Sequence, residues 1–259
     1  MKRLKLCLPL FLLFFLAGCF EITEQIDIKK DGSGQLTVNT DMSKLLEMMQ
    51  TYLGKDEMEK EMPKKVMDTT LLMKDVVDTA KDMTPEKKAL VRDGKIHMSL
   101  NMDQKIFKAD MHFPFTSQAN LQKLYTSMND GSLGTANLFR GLTSGMSDSN
   151  ANANNANAPD MNQFNSIYDF QCKDGMISRK VNAAKWKELQ QSQEFEQMKQ
   201  ATSMGIEMPY TMIINLPRPV KKVDNPLAKL SDDKKTVTIK YNLTDVFENP
   251  EKFEYTIAY

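Results

Sequence analysis

Residues 20–42 read FEITEQIDIKKDGSGQLTVNTDM, and this stretch decides the fold. Apolar or β-branched residues recur at every second position over most of both halves: Phe20, Ile22, Ile26 and Ile28, then Leu36, Val38, Thr40 and Met42. The halves are separated by Asp31-Gly32-Ser33-Gly34, a strong turn signal. A period of two indicates strands with one buried face, so the sequence predicts a β-hairpin.

The next 50 residues are predicted to be mainly helical. Residues 43–53 have helical spacing after a capping Ser43 and end at Gly54. The Met-rich region 56–83 is predicted to form further helix. Its proposed apolar face consists of Val66, Met67, Leu71, Val76, Val77 and Ala80. Thr84-Pro85-Glu86 predicts one more helix start, with proline at the first helical position.

Alternation returns in a second predicted hairpin. Its two strands carry Ile96, Met98, Leu100 and Met102, and then Phe107, Ala109, Met111, Phe113 and Phe115. Ser117 is predicted to cap a short helix after the second strand. After residue 163 the pattern predicts a third hairpin, a helix over about 183–203 capped by Asn182, and three final strands.

Strands therefore come mostly in consecutive pairs rather than in alternation with helices. This order predicts an α+β fold in which antiparallel β-hairpins form a sheet packed with several helices. Residues 129–163 interrupt the pattern and end in SDSNANANNANAPDMNQ, a low-complexity composition typical of a disordered loop. A binding loop that becomes ordered on a partner is the alternative. We interpret 19–128 and 164–259 as two parts of one domain; the alternative is that the loop separates two domains.

The stretch before the first hairpin has the composition of a targeting signal. Lys2, Arg3 and Lys5 precede residues 6–17, LCLPLFLLFFLA, which form a predicted signal helix too short for a mature membrane span. The run ends in Leu16-Ala17-Gly18-Cys19, which resembles a bacterial lipobox. The resemblance implies cleavage after Gly18, removal of the signal peptide 1–18, and acylation of Cys19. An ordinary secretory signal or an uncleaved anchor is the alternative.

An acylated Cys19 implies a palmitate-type lipid anchor on the membrane of a bacterial cell envelope, facing a compartment such as the periplasm. Phe20 follows the cysteine where enterobacterial sorting signals for inner-membrane retention have Asp. By that resemblance the outer membrane is the expected location rather than the inner membrane. The first hairpin begins almost at Cys19, so we expect the folded body to lie close to the membrane surface.

The C-terminal part carries a second resemblance. Asn215-Leu216-Pro217, Val223-Asp224-Asn225 and residues 230–239, LSDDKKTVTI, together with the lipobox and the early Gly-Ser-Gly hairpin, resemble uncharacterised envelope lipoproteins of the LppM type. The resemblance implies an α+β body with a concave sheet that holds lipid or glycolipid. It covers the early hairpin and roughly the last 50 residues, and it implies structural turns rather than site residues.

Charge and motif content argue against several function classes. Lys+Arg and Asp+Glu are both 34, whereas nucleic-acid binders usually carry a basic excess. The sequence lacks G-x-S-x-G, a Walker-type phosphate loop and H-E-x-x-H. We therefore expect a protein that is not an enzyme, needs no cofactor and binds no nucleic acid.

Two histidines raise the question of a metal site. Both His97 and His112 point to the polar face of the second hairpin, and Asp110 shares that face. A turn centred on Gln104-Lys105 would make the histidines cross-strand partners, and with Asp110 they are suitable zinc ligands. A shift of two residues pairs His97 with Asp110 instead. Our expectation is no metal, with surface residues as the ordinary interpretation of all three.

Sulfur-bearing side chains admit more than one interpretation. Cys172 lies in an alternating run and is expected to be a small core residue; a reactive thiol or an intermolecular bridge is the alternative. The methionines are expected to fill the core. A methionine-lined groove for an apolar ligand and a Cu(I) site are the other interpretations.

The sequence thus predicts a membrane-anchored lipoprotein that acts as a non-enzymatic lipid-, glycolipid- or protein-binding module. Its expected partners are the membrane, through Cys19, and a lipid or another envelope protein. One alternative is an envelope hydrolase that uses carboxylates in a cleft. Another is a structural scaffold for surface assembly.

Overall fold

The computed structural model describes residues 20–53, 66–78, 83–129, 165–193, 195–196, 199 and 207–259. The predicted signal helix, with Gly18 and Cys19, lies outside these residues. So does almost all of the low-complexity segment 129–163.

Within the described residues the chain forms twelve strands and five α-helices. The strands are β1 Glu21–Ile28, β2 Gly34–Asp41, β3 Val66–Leu72, β4 Lys95–Asn101, β5 Ile106–Phe115, β6 Tyr168–Lys173, β7 Met176–Val181, β8 Pro209–Asn215, β9 Lys222–Val223, β10 Lys229–Leu230, β11 Thr236–Asn242 and β12 Tyr255–Ala258. The helices are α1 Ser43–Leu53, α2 Met73–Val77, α3 Pro85–Val91, α4 Gln118–Asn129 and α5 Ala183–Leu189; 3-10 helices cover Leu243–Phe247 and Pro250–Phe253.

The larger sheet has eight strands in the order β10-β11-β8-β1-β2-β5-β4-β3. The predicted first hairpin is its centre, with β1 antiparallel to β2. All its strand pairs are antiparallel except β1 with β8, which run parallel. Strands from before and after the low-complexity segment therefore share one sheet. The predicted α+β class with antiparallel sheet is confirmed.

The smaller sheet has four strands in the order β6-β7-β12-β9, all antiparallel. Buried residues of both sheets belong to one hydrophobic cluster, which includes Ile26 and Ile214 from the larger sheet and Ile177 and Ile257 from the smaller. Helix α4 packs against β6 and supplies Leu121 and Leu124 to the same cluster. The two sheets and α4 thus enclose a common core.

Three predicted helix starts have the expected caps. The side chain of Thr84 accepts a hydrogen bond from the Lys87 amide, with Pro85 at the first helical position. Ser117 accepts from the Asn120 amide, and Asn182 accepts from the amides that begin α5. Ser43 differs from the prediction: its hydroxyl accepts the Phe107 amide of β5, and the carboxylate of Asp41 accepts the Ser43 amide.

The predicted helix over 56–83 is wrong for residues 66–72, which form β3 on the edge of the larger sheet. The spacing of Val66, Met67 and Leu71 fits a helical face, but β-branched Thr69 and Thr70 between them favour a strand. Pairing with β4 along its full length then outweighs the helical pattern. Helix begins only at Met73, in α2.

The second hairpin adopts one of the two registers that the sequence allowed. Asn101 pairs with Ile106, so the turn occupies residues 102–105 and His97 pairs with Asp110. Lys105 adopts a positive φ of 55° in this turn. His112 pairs with Lys95 on β4, and the register that makes the two histidines cross-strand partners is wrong.

Candidate functional site

A cavity of about 420 Å³ opens where loops from distant parts of the chain meet. The turn between β1 and β2 contributes Lys29, Lys30, Asp31 and Gly32, and the other lining residues are Gln118, Asp174, Pro217 and Arg218. Gln118 begins α4, Asp174 lies in the β6–β7 turn, and Arg218 follows β8. We call this cavity the cationic cleft, because its lining includes three cationic and two acidic side chains.

The β1–β2 turn is fixed by its own hydrogen bonds. Asp31 accepts hydrogen bonds from both the amide and the hydroxyl of Ser33, and these bonds lower the pKa of Asp31. Gly32 adopts a φ of 81°, a conformation that L residues rarely take. A Cβ at Gly32 would come within 4.0 Å of the Gln118 backbone nitrogen, so this turn lies directly against the start of α4.

Arg218 forms the opposite rim of the cleft. Its guanidinium pairs with Asp174 at 2.5 Å and lies over the ring of Tyr259, 5.3 Å from the ring centroid. The Tyr259 hydroxyl accepts a hydrogen bond from the Gln118 side-chain amide at 2.7 Å. Tyr259 is fully buried, so one rigid ring positions both Gln118 and Arg218.

The chemistry of the cleft favours an anion. Asp174 offsets the charge of Arg218 at the rim, and Asp31 interacts electrostatically with Lys29, although neither lysine forms an ion pair within 4.0 Å among the described residues. Three cationic and two acidic side chains leave the lining with one net positive charge. The first amides of the twelve-residue helix α4 add the partial positive charge of a helix N-terminus. A phosphate or carboxylate would meet charge-assisted donors from the β1–β2 turn and from α4 together.

A second polar site lies inside the core and is closed to solvent. Glu24 projects from the middle of β1 and is 5% exposed. Its Oε2 accepts hydrogen bonds from the hydroxyls of Tyr210 and Tyr125. Burial raises the pKa of Glu24, while nearby Arg179 and the two hydroxyls oppose that rise. Burial also raises the pKa of both tyrosines, which keeps their hydroxyls protonated as donors.

Arg179, on β7, is 1% exposed and shares this interior with Glu24. Its Nη1 donates to the Tyr241 hydroxyl at 3.4 Å and its Nη2 to Asn165 at 3.0 Å. The guanidinium also lies 4.0 Å from the ring centroid of Tyr168, a cation–π geometry. The tyrosines therefore contact the buried guanidinium in place of the water molecules that would surround it at the surface.

Glu24, Arg179 and five surrounding tyrosines make up what we call the buried tyrosine cluster; the tyrosines are Tyr125, Tyr168, Tyr210, Tyr241 and Tyr255. Three of its buried polar atoms have no hydrogen-bond partner among the described residues: Glu24 Oε1, Arg179 Nε and the Tyr255 hydroxyl. Such atoms weaken a core, so the cluster places an energetic burden on the fold at the junction of the two sheets.

The three candidate metal ligands from the sequence are held by separate partners. His97 contacts the hydroxyls of Thr70 at 3.0 Å and Ser99 at 3.1 Å. His112 contacts the side-chain amide of Gln35 at 2.9 Å, and Asp110 accepts from Asn39 at 2.5 Å. In the part of the chain that the structure describes, no group of three His, Cys, Asp or Glu side chains is placed to hold a metal ion.

The sulfur-bearing residues lie in the core. Cys172 is 4% exposed on β6, as expected, and burial raises the pKa of its thiol to about 12. Buried methionines fill both hydrophobic clusters, among them Met73, Met98, Met102, Met208 and Met212. The cationic cleft is lined by polar and charged side chains together with Pro217, and it does not correspond to the methionine-lined groove considered from the sequence.

Comparison with known protein families, with curated proteins and with solved structures finds no match to this chain. Among the described helices, none has both the length and the apolar composition that crossing a membrane requires. The function of this chain is therefore inferred from its own sequence and geometry.

Proposed function

We propose that the chain is a membrane-anchored, non-enzymatic binding module of the bacterial cell envelope, and that it takes an anionic group in its cationic cleft. The observation that carries the proposal is the convergence of Lys29, Lys30 and Arg218 beside the start of α4 in a cavity of about 420 Å³. Cationic side chains and helix amides converging on one cavity are the ordinary means of binding phosphate or carboxylate.

The lipobox at residues 16–19 supports the membrane anchor, and the connection from it to the folded body is short. Strand β1 begins at Glu21, two residues after Cys19. An acyl group on Cys19 would therefore be attached to the central part of the larger sheet with almost no intervening tether. Two or more acyl chains hold a protein stably on a bilayer, at about 0.8 kcal/mol for each buried methylene.

The ligand class is inferred from the lining of the cleft. Six of its eight lining residues carry charged or amide side chains, and the other two are Gly32 and Pro217. We infer that it takes the anionic headgroup of a lipid or glycolipid rather than an acyl chain. The sheet groove implied by the resemblance to LppM-type lipoproteins stays a prediction. For the lipid-binding hypothesis we propose the cationic cleft as the site.

Vesicle binding tests the cleft. The full chain is mixed with vesicles of phosphatidylcholine alone and with vesicles that also contain phosphatidylglycerol, and binding is measured by flotation. The acyl anchor would attach the protein to either kind of vesicle, so both kinds are offered in one tube at different densities. The measured quantity is the gain in protein bound to the phosphatidylglycerol vesicles over the others. We expect the double variant Lys29→Gln, Lys30→Gln to lose most of this gain.

The matched control is Lys229→Gln with Lys240→Gln, which removes the same charge from exposed positions of β10 and β11. An equal loss in both double variants would mean that net charge alone attracts the vesicles, and the cleft proposal would be wrong.

A separate experiment tests the anchor. The wild-type chain and Cys19→Ala are produced in a bacterial host and partitioned between detergent and buffer, and the N-terminal residue is identified by mass spectrometry. We expect the wild type to begin at an acylated Cys19 and to enter the detergent phase, and the variant to carry no acyl group. A wild-type chain that begins elsewhere would contradict the lipoprotein proposal.

A further inference from the structure

The described sheets end in four edge strands, and three of them are short or covered. Strand β10 has two residues, one of which is Lys229, and β9 also has two. Strand β6 is longer, but α4 packs against it, and the amide of Cys172 donates to the side chain of Gln122 at 3.1 Å. These are common ways in which proteins prevent a sheet edge from pairing with another chain.

The fourth edge, β3, has none of these protections within the described residues. Its sequence, VMDTTLL, has seven residues, one charge, no proline and no lysine. It pairs with β4 along its full length, and β4 is its only partner strand among the described strands. Val66 is 62% exposed and Leu72 is 39% exposed. They are two of the five exposed large hydrophobic residues in the described part of the chain. An exposed, apolar edge of this length is a template for strand addition.

The strand is complementary to itself when it is paired antiparallel about Thr69. In that register Val66 of one copy faces Leu72 of the other, and Met67 faces Leu71, so apolar side chains meet on both faces of the sheet. Asp68 faces Thr70, and therefore the two Asp68 carboxylates do not oppose each other. Each pair occurs twice by symmetry, apart from Thr69, which faces its own copy.

We propose that β3 pairs with β3 of a second copy of this chain to form a two-fold symmetric dimer with a continuous sheet. A two-fold contact presents the same surface on both sides, as this self-complementary strand does. The exposed side chains of Val66 and Leu72 then become buried against each other. This inference rests on β3 alone and does not depend on the proposed ligand or anchor.

Substitutions at two neighbouring positions of β3 test the proposed register. They distinguish a specific effect on dimer pairing from a general effect of adding a lysine to the strand. Thr69→Lys places two lysines directly opposite each other, whereas Thr70→Lys places each new lysine opposite an Asp68. Both positions are exposed, so the folded monomer should tolerate either change. Thr70 loses its contact with His97 in the second variant, which makes it a stringent control.

The dissociation constant of the dimer is measured by sedimentation equilibrium of the full chain in density-matched detergent. We expect Thr69→Lys to raise it by about tenfold or more, equivalent to about 1.4 kcal/mol, and Thr70→Lys to leave it equal or lower. A monomeric wild type, or equal weakening by both variants, would overturn the proposal. Circular dichroism confirms that both variants are folded.

Cross-linking provides an independent measurement. Thr69→Cys places two thiols at the two-fold axis, within disulfide range for directly opposed residues of neighbouring strands. Thr70→Cys places its two thiols farther apart, diagonally across the pair. Both variants contain the same native cysteines, and Cys172 is buried, so a difference between their rates reports the new position alone. We expect faster disulfide formation by Thr69→Cys, and equal rates for the two variants would contradict the register.

Discussion

Two arginines of this chain illustrate opposite uses of the same side chain. Arg179 is 1% exposed and its charge is surrounded by tyrosines, whereas the side chain of Arg218 is 49% exposed at the rim of the cationic cleft. Arg218 pairs with Asp174, while the hydrogen bonds of Arg179 go to a hydroxyl and an amide. Burial, rather than residue type, separates a charge enclosed at the junction of the two sheets from a charge at a solvent-exposed rim.

The comparison also shows where the fold tolerates an energetic cost. Three buried polar atoms of the buried tyrosine cluster have no hydrogen-bond partner among the described residues. Its two ionisable members of opposite charge, Glu24 and Arg179, come from different sheets. The cleft has no such burden, because its charges face solvent. Changes in the cluster should therefore alter stability, and changes in the cleft should alter binding.

The largest expected effect comes from truncating the buried arginine. Arg179→Ala removes two hydrogen bonds and a cation–π contact and leaves Glu24 buried without its neighbouring charge. We expect the free energy of unfolding to fall by about 3–5 kcal/mol. Arg218→Ala is the matched control, and we expect a change within about 1 kcal/mol because its ion pair is exposed. Urea denaturation measures both, and similar losses would contradict the comparison.

A smaller effect distinguishes two tyrosines within the cluster. Both Tyr210 and Tyr255 are almost fully buried, but only the Tyr210 hydroxyl donates to Glu24, and the Tyr255 hydroxyl has no partner among the described residues. We expect Tyr210→Phe to destabilise the fold by about 1–3 kcal/mol and Tyr255→Phe to cost about 0.5 kcal/mol or less. If Tyr255→Phe is the more damaging change in urea denaturation, the assigned hydrogen bonds are wrong.

The pH dependence of stability tests the state of Glu24. Its pKa is raised in the folded protein, chiefly by burial. Its contribution to stability is therefore fully present below its ordinary pKa of about 4.5 and is lost as the pH rises through the higher folded value. We expect the stability of the wild type, measured relative to Glu24→Gln, to decrease from pH 4 towards neutral pH. A constant or increasing difference would show that the pKa of Glu24 is not raised.

The smallest expected effect on stability belongs to the cleft. The double variant Lys29→Gln, Lys30→Gln should unfold at the same temperature as the wild type while it loses its preference for phosphatidylglycerol vesicles. Differential scanning calorimetry provides the comparison. A marked decrease in the unfolding temperature would mean that these lysines support the fold rather than a ligand.

Local sequence patterns predicted much of the fold. The period of two located β1, β2, β4 and β5, and the capping residues Thr84, Ser117 and Asn182 marked real helix starts. The prediction was wrong for β3, because short runs of apolar residues fit both a helical face and a strand. Only the pairing partner, β4, decides between them.

The candidate sites depended on contacts that no local pattern encodes. The cationic cleft joins Lys29, Gln118, Asp174 and Arg218, which are far apart in the sequence. One member of the buried tyrosine cluster could have been recognised from the sequence. In the period-two pattern of β1, Glu24 occupies the same face as Ile22 and Ile26. A carboxylate on the buried face of a strand indicates a polar site inside the core. Nothing near Glu24 in the sequence identifies Arg179 as its neighbour.

The length of β1 has a mechanical consequence. This single eight-residue strand connects the neighbourhood of Cys19 to Lys29, and at about 3.3 Å per residue it spans about 25 Å. Strands on both sides hold it in place, so it resists bending and stretching. Whatever occupies the cavity at the other end is therefore kept at a constant separation from Glu21, the first residue of the sheet, however the body tilts. The molecule would then work as a spacer of defined length between two attachment points.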